Sequence, residues 1–589
     1  MIHLNIITMT KFSENSIKVL EELYLERDEN GTTKETPTAL FKRVSKHIAS
    51  AELFWGDIFT AEKWEEKFFE IMDNLLFLPN SPTLMNAGKA SRQLSACFVL
   101  PIEDSNSSIF STLQFAETIQ QTGGGTGFNF SHVNPKNELL NTSERKDKGP
   151  ISYMKMIDSA TEKVKHNGKR RGANIGILDI SHPDIEEFIT SKSEKEALNN
   201  FNISVAISDE FMKTLERNSD WTLIHPQTKK PIKKIHARTL WNKIIESAWH
   251  TGDPGLIFID TINKQNATPL LGIIESTNPC GEVPLLPNES CNLGSVNVSK
   301  FVKKNNGSYE IDWHKLEDVV TIAIRFLDNV IEVNNYTSAE IKNMSLGNRK
   351  IGLGVMGWAE LLILLELPYD SDRAVRLAGQ MMQFIQQQSF DTSVLLAKER
   401  GVFPNWDKSI YFPHQPIRNA TRTSIAPTGT ISIIAETSSS IEPLFALAYQ
   451  KQHVLHDETL TFINPLFINY LKENHLYSES VIEDILLEGV ITETSSLPYT
   501  VKELFKTALQ IEPDWHLCHQ IAFQRFTDNA VSKTINLPED APIKTVDEIY
   551  KKAWLQKAKG TTIFRYNSKG NQVMLQGVKN EPTSCEVCI

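Results

Sequence analysis

The chain has 589 residues, long enough for two to four domains or for one large α/β barrel with insertions. Hydrophobic residues make up 40% and charged residues 23%, as is usual for soluble globular proteins. The formal net charge of −11 argues against a general nucleic-acid-binding protein, because such proteins usually carry a basic face.

Residues 1–79 predict a helical region, because amphipathic patterns begin near Ser13, Ala39 and Ala61. From residue 80 to 569, apolar segments that predict strands (98–100, 127–130, 175–178, 201–205 and 255–259) alternate with segments that predict helices (109–121, 183–191, 316–333, 374–400 and 501–509). This alternation favours a large α/β core. Residues 570–589 are polar and predict a flexible tail.

The first residues contain neither a basic leader nor a long apolar run, so no signal peptide is predicted. The most apolar segment, residues 361–365, is too short to cross a bilayer. We therefore expect a cytoplasmic protein. In a reducing compartment, cysteines are more often catalytic or metal-binding than structural.

One of the six cysteines lies in an unusual segment, Asn278-Pro-Cys280-Gly-Glu282. In an extended chain, alternate side chains point to the same side. An amide, a thiol and a carboxylate could therefore face one substrate together. This segment is the candidate reaction centre.

The other cysteines are interpreted differently. Cys518 is alone in the sequence and is expected to be a small packing residue. Cys585 and Cys588 could form half of a zinc site, but zinc needs four ligands, and the sequence has no second CxxC and no nearby histidine pair. We therefore predict no metal site, and interpret these two cysteines as a dithiol that exchanges with an internal disulfide.

Three loops could contact a ligand, although each is ambiguous alone. The glycine-rich residues 123–127 match neither the P-loop nor the dinucleotide fingerprint. Residues 426–432 offer hydroxyls and backbone N–H groups suited to a phosphate, but an ordinary turn is equally compatible. The basic residues 169–171 precede an apolar strand, so both anion contact and a solvated face remain open.

Taken together and in this order, these segments resemble the catalytic chain of ribonucleotide reductases. The resemblance rests on NSPTLMNAG (80–88), QLSAC (93–97), GGGTG (123–127), KRRGAN (169–174), HPDI (182–185), NPCGE (278–282), CNLG (291–294), APTGTIS (426–432) and DNAVSKT (528–534). It implies a ten-stranded α/β barrel of two antiparallel five-stranded parallel halves, with a finger loop that carries a cysteine into the centre.

The resemblance also implies roles for single residues. A thiyl radical on Cys280 would take the 3′-hydrogen of a ribonucleotide, Glu282 would accept the 3′-hydroxyl proton, and Asn278 would hydrogen-bond the substrate. The remaining cysteines would supply electrons as the 2′-hydroxyl leaves as water. Cys97 and Cys291 would be the internal reductant, and Cys585 and Cys588 the shuttle that receives electrons from a thioredoxin-like or glutaredoxin-like protein.

Further positions match family residues that bind nucleotides. Those implied to hold the substrate are Ser81, Ala96, Gly125, Pro427, Thr428, Gly429, Thr430 and Ile431. Those in the region that binds a deoxynucleotide effector at a dimer interface are Asp104, Arg170, Arg171 and the polar residues 134–149. A homodimer is therefore expected.

Two features indicate the radical generator. Class I chains carry a tyrosine pair near the C-terminus, which relays the radical from a second subunit, whereas Ile563 and Phe564 occupy this place here. The short interval from Cys280 to Cys291 is like that of class II, which uses adenosylcobalamin without a second subunit. The resemblance thus implies adenosylcobalamin, with diphosphates favoured over triphosphates. The alternatives are a class I chain with an unusual radical path and, more remotely, an inactive nucleotide-binding relative.

Overall fold

The structure, a computed structural model, describes residues 11–136, 148–166, 170–193, 197–305, 307–455, 458–568 and 574–578. Of the predicted tail, only residues 574–578 are described, and they include a short strand. Cys585 and Cys588 lie outside the described residues, as does most of the predicted effector segment, residues 137–147.

The helices follow one another along the whole chain. In order they are α1 (Glu14–Leu23), α2 (Pro37–Ala49), α3 (Ile58–Asp73), α4 (Ser81–Asn86), α5 (Asn106–Gln121), α6 (Gly149–Lys163), α7 (Ile185–Ile189), α8 (Asp209–Glu216), α9 (Ala237–Thr251), α10 (Ile259–Lys264), α11 (Trp313–Val333), α12 (Ala339–Asn348), α13 (Trp358–Leu364), α14 (Asp372–Arg400), α15 (Ile431–Ile434), α16 (Pro465–Glu473), α17 (Glu479–Glu488), α18 (Tyr499–Leu504), α19 (Pro513–Gln524) and α20 (Ile543–Leu555).

The strands are β1 (Phe77–Pro79), β2 (Cys97–Leu100), β3 (Gly125–Asn129), β4 (Lys165–His166), β5 (Arg170–Arg171), β6 (Asn174–Asp179), β7 (Phe201–Ile207), β8 (Asp220–Ile224), β9 (Pro231–His236), β10 (Gly255–Phe258), β11 (Ser276–Thr277), β12 (Pro284–Leu285), β13 (Ser290–Asn297), β14 (Val302–Asn305), β15 (Ser308–Ile311), β16 (Ile351–Met356), β17 (Ala448–Leu455), β18 (Glu458–Ile463), β19 (Thr534–Leu537), β20 (Gly560–Arg565) and β21 (Met574–Gln576).

Ten strand segments close into a barrel. The first half is the parallel series β2, β3, β6, β7 and β10. The second half is also parallel and consists of β13, β16, residues 423–425, β19 with the residues just before it, and β20. The halves meet in antiparallel pairs, β2 with β13 and β10 with β20. This arrangement confirms the predicted ten-stranded architecture.

The N-terminal helices share one core with the second half of the barrel. Phe68 of α3 and Phe77 of β1 both lie edge-on to Phe326 of α11, with ring centroids 5.1 and 5.4 Å apart. Burial of such aromatic side chains supplies much of the hydrophobic stabilisation of a domain. The helical region therefore packs onto the barrel.

The predicted elements match the structure closely, except that two helices are shorter. The segment predicted as a helix over residues 183–191 forms only α7 (Ile185–Ile189). The segment predicted as a helix over residues 501–509 forms α18, which ends at Leu504. The chain turns there, because the backbone N–H and hydroxyl of Thr507 both bond to Gln510 Oε1, at 3.0 and 3.1 Å.

Within the described ranges, no helix combines the length and the apolar character needed to cross a membrane.

Candidate active site

The predicted reaction centre lies on a loop between β11 and β12, which we call the finger loop (residues 278–283). Its ends are tied together, because the N–H of Val283 donates to Asn278 Oδ1 at 3.0 Å. The N–H of Gly281 donates to the Asn278 carbonyl at 3.0 Å, and Gly281 has φ of 81°, a conformation that favours glycine. The loop is therefore a tight turn with Cys280 at its tip.

This turn corrects the extended conformation expected for residues 278–282. Because the chain reverses at Gly281, the side chains of Asn278, Cys280 and Glu282 do not all point to one side of an extended segment. Cys280 is exposed at the tip, whereas Asn278 and Glu282 are only 3% and 2% exposed. The sequence nevertheless brings amide, thiol and carboxylate into one place.

The glycines of β3 make room for the finger loop. A Cβ at Gly125 would lie 2.8 Å from Pro279 Cγ, and a Cβ at Gly127 would lie 1.7 Å from the Thr277 carbonyl oxygen. On β7, which is separated from β3 by β6, the Asn202 amide donates to the Pro279 carbonyl at 2.8 Å. The glycine-rich segment thus lets the barrel wall contact the loop that carries Cys280.

We expect Gly127→Ala to displace the finger loop, because the added methyl group would overlap the carbonyl group of Thr277, which directly precedes the loop. Overpacking of this kind costs about 1–3 kcal/mol of unfolding free energy, and activity should fall with it. Gly379→Ala is a matched control, since its Cβ meets only Phe526, at 3.9 Å. Denaturant unfolding of both variants measures the difference; wild-type stability and activity in Gly127→Ala would contradict the close contact.

Glu282 combines a fixed backbone with an available carboxyl oxygen. Its carbonyl accepts hydrogen bonds from the Ala530 N–H and the Ser424 hydroxyl, both at 2.8 Å. Its Oε2 is buried and has no hydrogen-bond partner among the described residues. Burial raises the pKa of Glu282 to about 7, against the opposing effect of the Asn278 hydrogen bond. A carboxyl group with this pKa can exchange a proton near neutral pH.

Cys97 and Cys291 stand directly opposite each other in the antiparallel pair of β2 and β13. Opposite residues in such pairs have Cα atoms about 4.5–5.5 Å apart, within the range that a disulfide spans. They are 2% and 1% exposed, and burial raises the pKa of both thiols. The pair is therefore held as neutral thiols that can be oxidised to a disulfide with little backbone movement.

The exposed thiol of Cys280 faces a cavity of about 2120 Å³. Pockets for a single small ligand usually measure about 300–1,000 Å³, so this one has room for a nucleotide and a second large group. Strand residues from both halves line it, among them Ser204, Leu256, Thr561, Ile563 and Phe564. The ion pair of buried Lys533 with half-buried Glu442 also lies on its wall.

The other predicted site residues have varied surroundings. Pro427 lines the cavity, and Thr430 immediately precedes the short helix α15, which begins at Ile431. The Thr428 hydroxyl accepts the Ser440 N–H at 2.7 Å, and Gly429 is exposed. Ser81 Oγ is 2.7 Å from Tyr24 Oη, and the Ala96 N–H donates to the Cys291 carbonyl. Asp104 is half-buried just before α5, and Arg170 and Arg171 form β5, paired with β4.

Sequence reasoning missed the residues that hold the finger loop. Asn202 and Ser424 bond its backbone, and the Lys559 ammonium donates to the Asp528 carbonyl at 2.6 Å, next to the segment that binds Glu282. A polar residue inside an apolar strand, as Asn202 is in segment 201–205, was the available signal. The long-range partners of Ser424 and Lys559 left no such signal.

Family models cover most of the chain. The model described as "Ribonucleotide reductase, barrel domain" matches residues 95–414 and 412–564. The model described as "Ribonucleotide reductase, all-alpha domain" matches residues 10–92.

Individual proteins agree with these matches. The chain is 44% identical to a vitamin B12-dependent ribonucleoside-diphosphate reductase of Thermoplasma acidophilum, over 96% of this chain and 80% of the relative. It is 45% identical to the protein of the same description from Mycobacterium tuberculosis, over 96% and 79%. The alpha subunit of an Actinobacillus ureae class Id ribonucleotide reductase shares the fold, with a TM-score of 0.77, 23% identity and coverage of 94% and 97%. The chain belongs to the ribonucleotide reductase family.

Proposed function

We propose that this chain is an adenosylcobalamin-dependent ribonucleoside-diphosphate reductase, which converts ribonucleotides to 2′-deoxyribonucleotides. The observation that carries the proposal is the placement of Cys280 at the tip of the finger loop, facing the cavity, with the opposed pair of Cys97 and Cys291 buried nearby. The relatives described as vitamin B12-dependent diphosphate reductases support both the cofactor and the substrate class.

The cavity residues fit the proposed cofactor. When bound, adenosylcobalamin supplies the one-electron chemistry that converts a cysteine thiol to a thiyl radical. The space beside Cys280 exceeds what a nucleotide fills, and Ile563 and Phe564 line it with apolar surface where a tyrosine relay would require phenols. Phe445 and the stacked rings of Tyr449 and Phe462 would also hold the group; these two rings lie on the separate sheet of β17, β18 and β21.

The side chains then divide the reaction between them. The Cys280 thiyl takes the 3′-hydrogen, and ionised Glu282 accepts the 3′-hydroxyl proton while the Asn278 amide orients the substrate. The 2′-hydroxyl leaves as water, taking up a proton. Cys97 and Cys291 give two electrons and two protons, one proton to the departing water and one to C2′, and become a disulfide. Glu282 then returns its proton to the 3′-oxygen, and Cys280 returns the hydrogen to C3′. The sum is one ribonucleotide and two thiols giving one deoxyribonucleotide, one disulfide and one water.

Reduction of a ribonucleotide implies a nucleotide substrate and a redox partner. For this chain we propose a thioredoxin-like or glutaredoxin-like reductant. We also propose that one set of residues holds the ribose and phosphates of the substrate: Ser81, Ala96, Gly125, Pro427, Thr428, Gly429, Thr430 and Ile431. A homodimer with an effector site that includes Asp104, Arg170 and Arg171, and a cytoplasmic location, are also proposals. The family resemblance supports them.

Cys585→Ser is expected to slow turnover at least about ten-fold with a thioredoxin-like protein as reductant, because the proposed shuttle loses one thiol. With a small dithiol that reduces Cys97–Cys291 directly, the rate should stay within about two-fold of wild type. Steady-state assays with each reductant measure the split. Equal loss with both reductants would argue against a shuttle role.

The proposed function is tested by incubating the purified chain with each of the four nucleoside diphosphates and triphosphates, with and without adenosylcobalamin. We expect deoxynucleotide only when the cofactor is present, and faster reaction with the diphosphates. Turnover that does not need cobalamin but requires a second protein would instead establish the class I alternative.

A further inference from the structure

A buried ion pair lies behind the redox cysteines. Lys350 Nζ is 2.6 Å from Glu289 Oε2, and the two side chains are 2% and 1% exposed. The Glu289 carboxylate also accepts the Leu286 N–H at 2.6 Å and a hydrogen bond from the Asn348 amide. Neither charged residue has a role in the chemistry proposed above. Charges this deeply buried are costly unless they are paired.

Strand register places Lys350 beside Cys291. On one side of β13, Cys291 is opposite Cys97. On the other side, Asn292 is opposite Ile351 of β16, so Lys350, which comes just before Ile351, stands next to Cys291. The two sulfurs therefore differ in surroundings: one has a cationic neighbour, and the other lies between Cys291 and the finger loop.

The charged neighbours of the two thiols show the same asymmetry as the strand register. Burial raises the pKa of Cys291, and the charge of Lys350 is the strongest influence that opposes it, ahead of the raising effect of Glu289. Burial also raises the pKa of Cys97; there Glu282 is the strongest charged neighbour and raises it further, whereas a hydrogen bond with Asn278 lowers it. The Lys350 charge thus favours a thiolate at Cys291, whereas the charge of Glu282 disfavours one at Cys97.

We infer that Lys350 is a positioning residue for reduction of the Cys97–Cys291 disulfide. Its charge makes Cys291 the leaving thiolate and directs the incoming thiolate to Cys97. This step rests on the proposed function only in that the pair becomes oxidised during turnover. The incoming sulfur bonds to Cys97, the Cys97–Cys291 bond breaks, and its electron pair stays on Cys291. A second thiol of the same dithiol then releases Cys97, and both sulfurs take up protons.

Lys350 is expected to change the rate at which the disulfide is reduced and not the reduction potential of the cysteine pair. A neighbouring opposite charge shifts a pKa by about 1–3 units, and exchange is faster when the leaving thiol has the lower pKa. Removal of the Lys350 charge should therefore slow reduction about five-fold to ten-fold. Both product thiols are protonated at neutral pH, so the reduction potential of the pair should hardly change.

The test uses the full chain with Cys585 and Cys588 replaced by serine, so that an added thiol attacks the internal disulfide directly. The protein is oxidised with diamide, and its reduction by 2-mercaptoethanol is followed without nucleotide or cobalamin. Failure of the inference is thereby separated from failure of the proposed function. Lys350→Gln, Lys350→Arg and the control Lys506→Gln, which breaks an ion pair with Asp370 and Glu503, are compared. Acid quenching and peptide mapping locate the mixed disulfide.

We expect slower reduction in Lys350→Gln, recovery in Lys350→Arg, no change in Lys506→Gln and an unchanged reduction potential in all three. In the protein that keeps Lys350, the mixed disulfide should lie on Cys97, a result that does not depend on the variants folding. A mixed disulfide mainly on Cys291, or an unchanged rate in Lys350→Gln, would overturn the inference. So would a reduction potential that moves together with the rate, because that pattern indicates a purely structural role.

Discussion

Cys280→Ser is expected to lower deoxynucleotide formation at least about 1000-fold, since removal of the reacting atom leaves only binding. A serine hydroxyl in the same turn keeps nearly the same volume, and Cys280 is exposed at the tip of the finger loop. The fold should therefore survive. The measurement is product formation by chromatography under conditions where the wild-type protein turns over many times.

Cys518→Ser is the matched control for this variant. Cys518 is half-buried on α19 and has no role in the proposed chemistry, so its activity should stay within about two-fold of wild type. Thermal unfolding of both variants checks that neither loses its structure. Deoxynucleotide production by Cys280→Ser at a rate near that of Cys518→Ser would remove Cys280 from the mechanism.

Glu282→Gln is expected to lower the rate by about 10²–10⁴-fold, the usual contribution of a positioned acid or base. The glutamine keeps the shape of the side chain and cannot accept the 3′-hydroxyl proton. In the wild-type protein, the base must be ionised, and the pKa of Glu282 is about 7. The rate should therefore rise as pH increases through 7, and this dependence should vanish in the variant. A pH–rate profile of both proteins measures it.

Ionisation of Glu282 should lower the stability of the fold as the pH rises, although it raises the rate. Burial raises the pKa of Glu282 from its usual 4.5 to about 7, so the fold favours the neutral acid. The contribution of Glu282 to the free energy of unfolding is therefore fully present below pH 4.5 and is lost as the pH rises from 4.5 to 7. Above pH 7 the loss is about 3 kcal/mol. Glu282→Gln lacks this loss. Equal pH dependence of unfolding in the two proteins would contradict an ionisable carboxyl group buried at this position.

The first half of the barrel could be predicted from local pattern, and the second half could not. Segment 201–205 is apolar and β-branched, and it forms part of β7 (Phe201–Ile207). In contrast, β13 is SCNLGSVN with all eight residues buried. Some of its polar side chains have distant partners, for example Ser290 Oγ, which lies 2.7 Å from Ser345 Oγ. A strand of this kind has neither the alternation nor the apolar run that identifies strands in a sequence.

Glycines in β16 hide a second strand for a related reason. A Cβ at Gly352 would lie 2.7 Å from Ser424 Cβ, and one at Gly354 would lie 2.2 Å from the Ser424 carbonyl oxygen. Glycine disfavours strands in general, but here it permits close approach of the neighbouring segment. Local rules fail where tertiary contacts determine the residue, and these positions adjoin the site.

The site itself was accessible from the sequence only in part. The NPCGE segment identified a thiol beside a carboxylate, whereas the facing of Cys97 and Cys291 across β2 and β13 depends on the barrel closing. Local spacing does not contain that information, and the resemblance to a family supplied it. Lys350 became visible only through its contacts in the folded chain.

The most direct test of the proposed chemistry follows the 3′-hydrogen of the substrate. A nucleoside diphosphate labelled with deuterium at C3′ is converted by the purified chain with adenosylcobalamin, and the product is examined by mass spectrometry and NMR. If Cys280 removes this hydrogen and returns it, the label should slow the reaction and be found at C3′ of the deoxynucleotide. A reaction with no isotope effect, in which C3′ is never touched, would contradict the role assigned to Cys280.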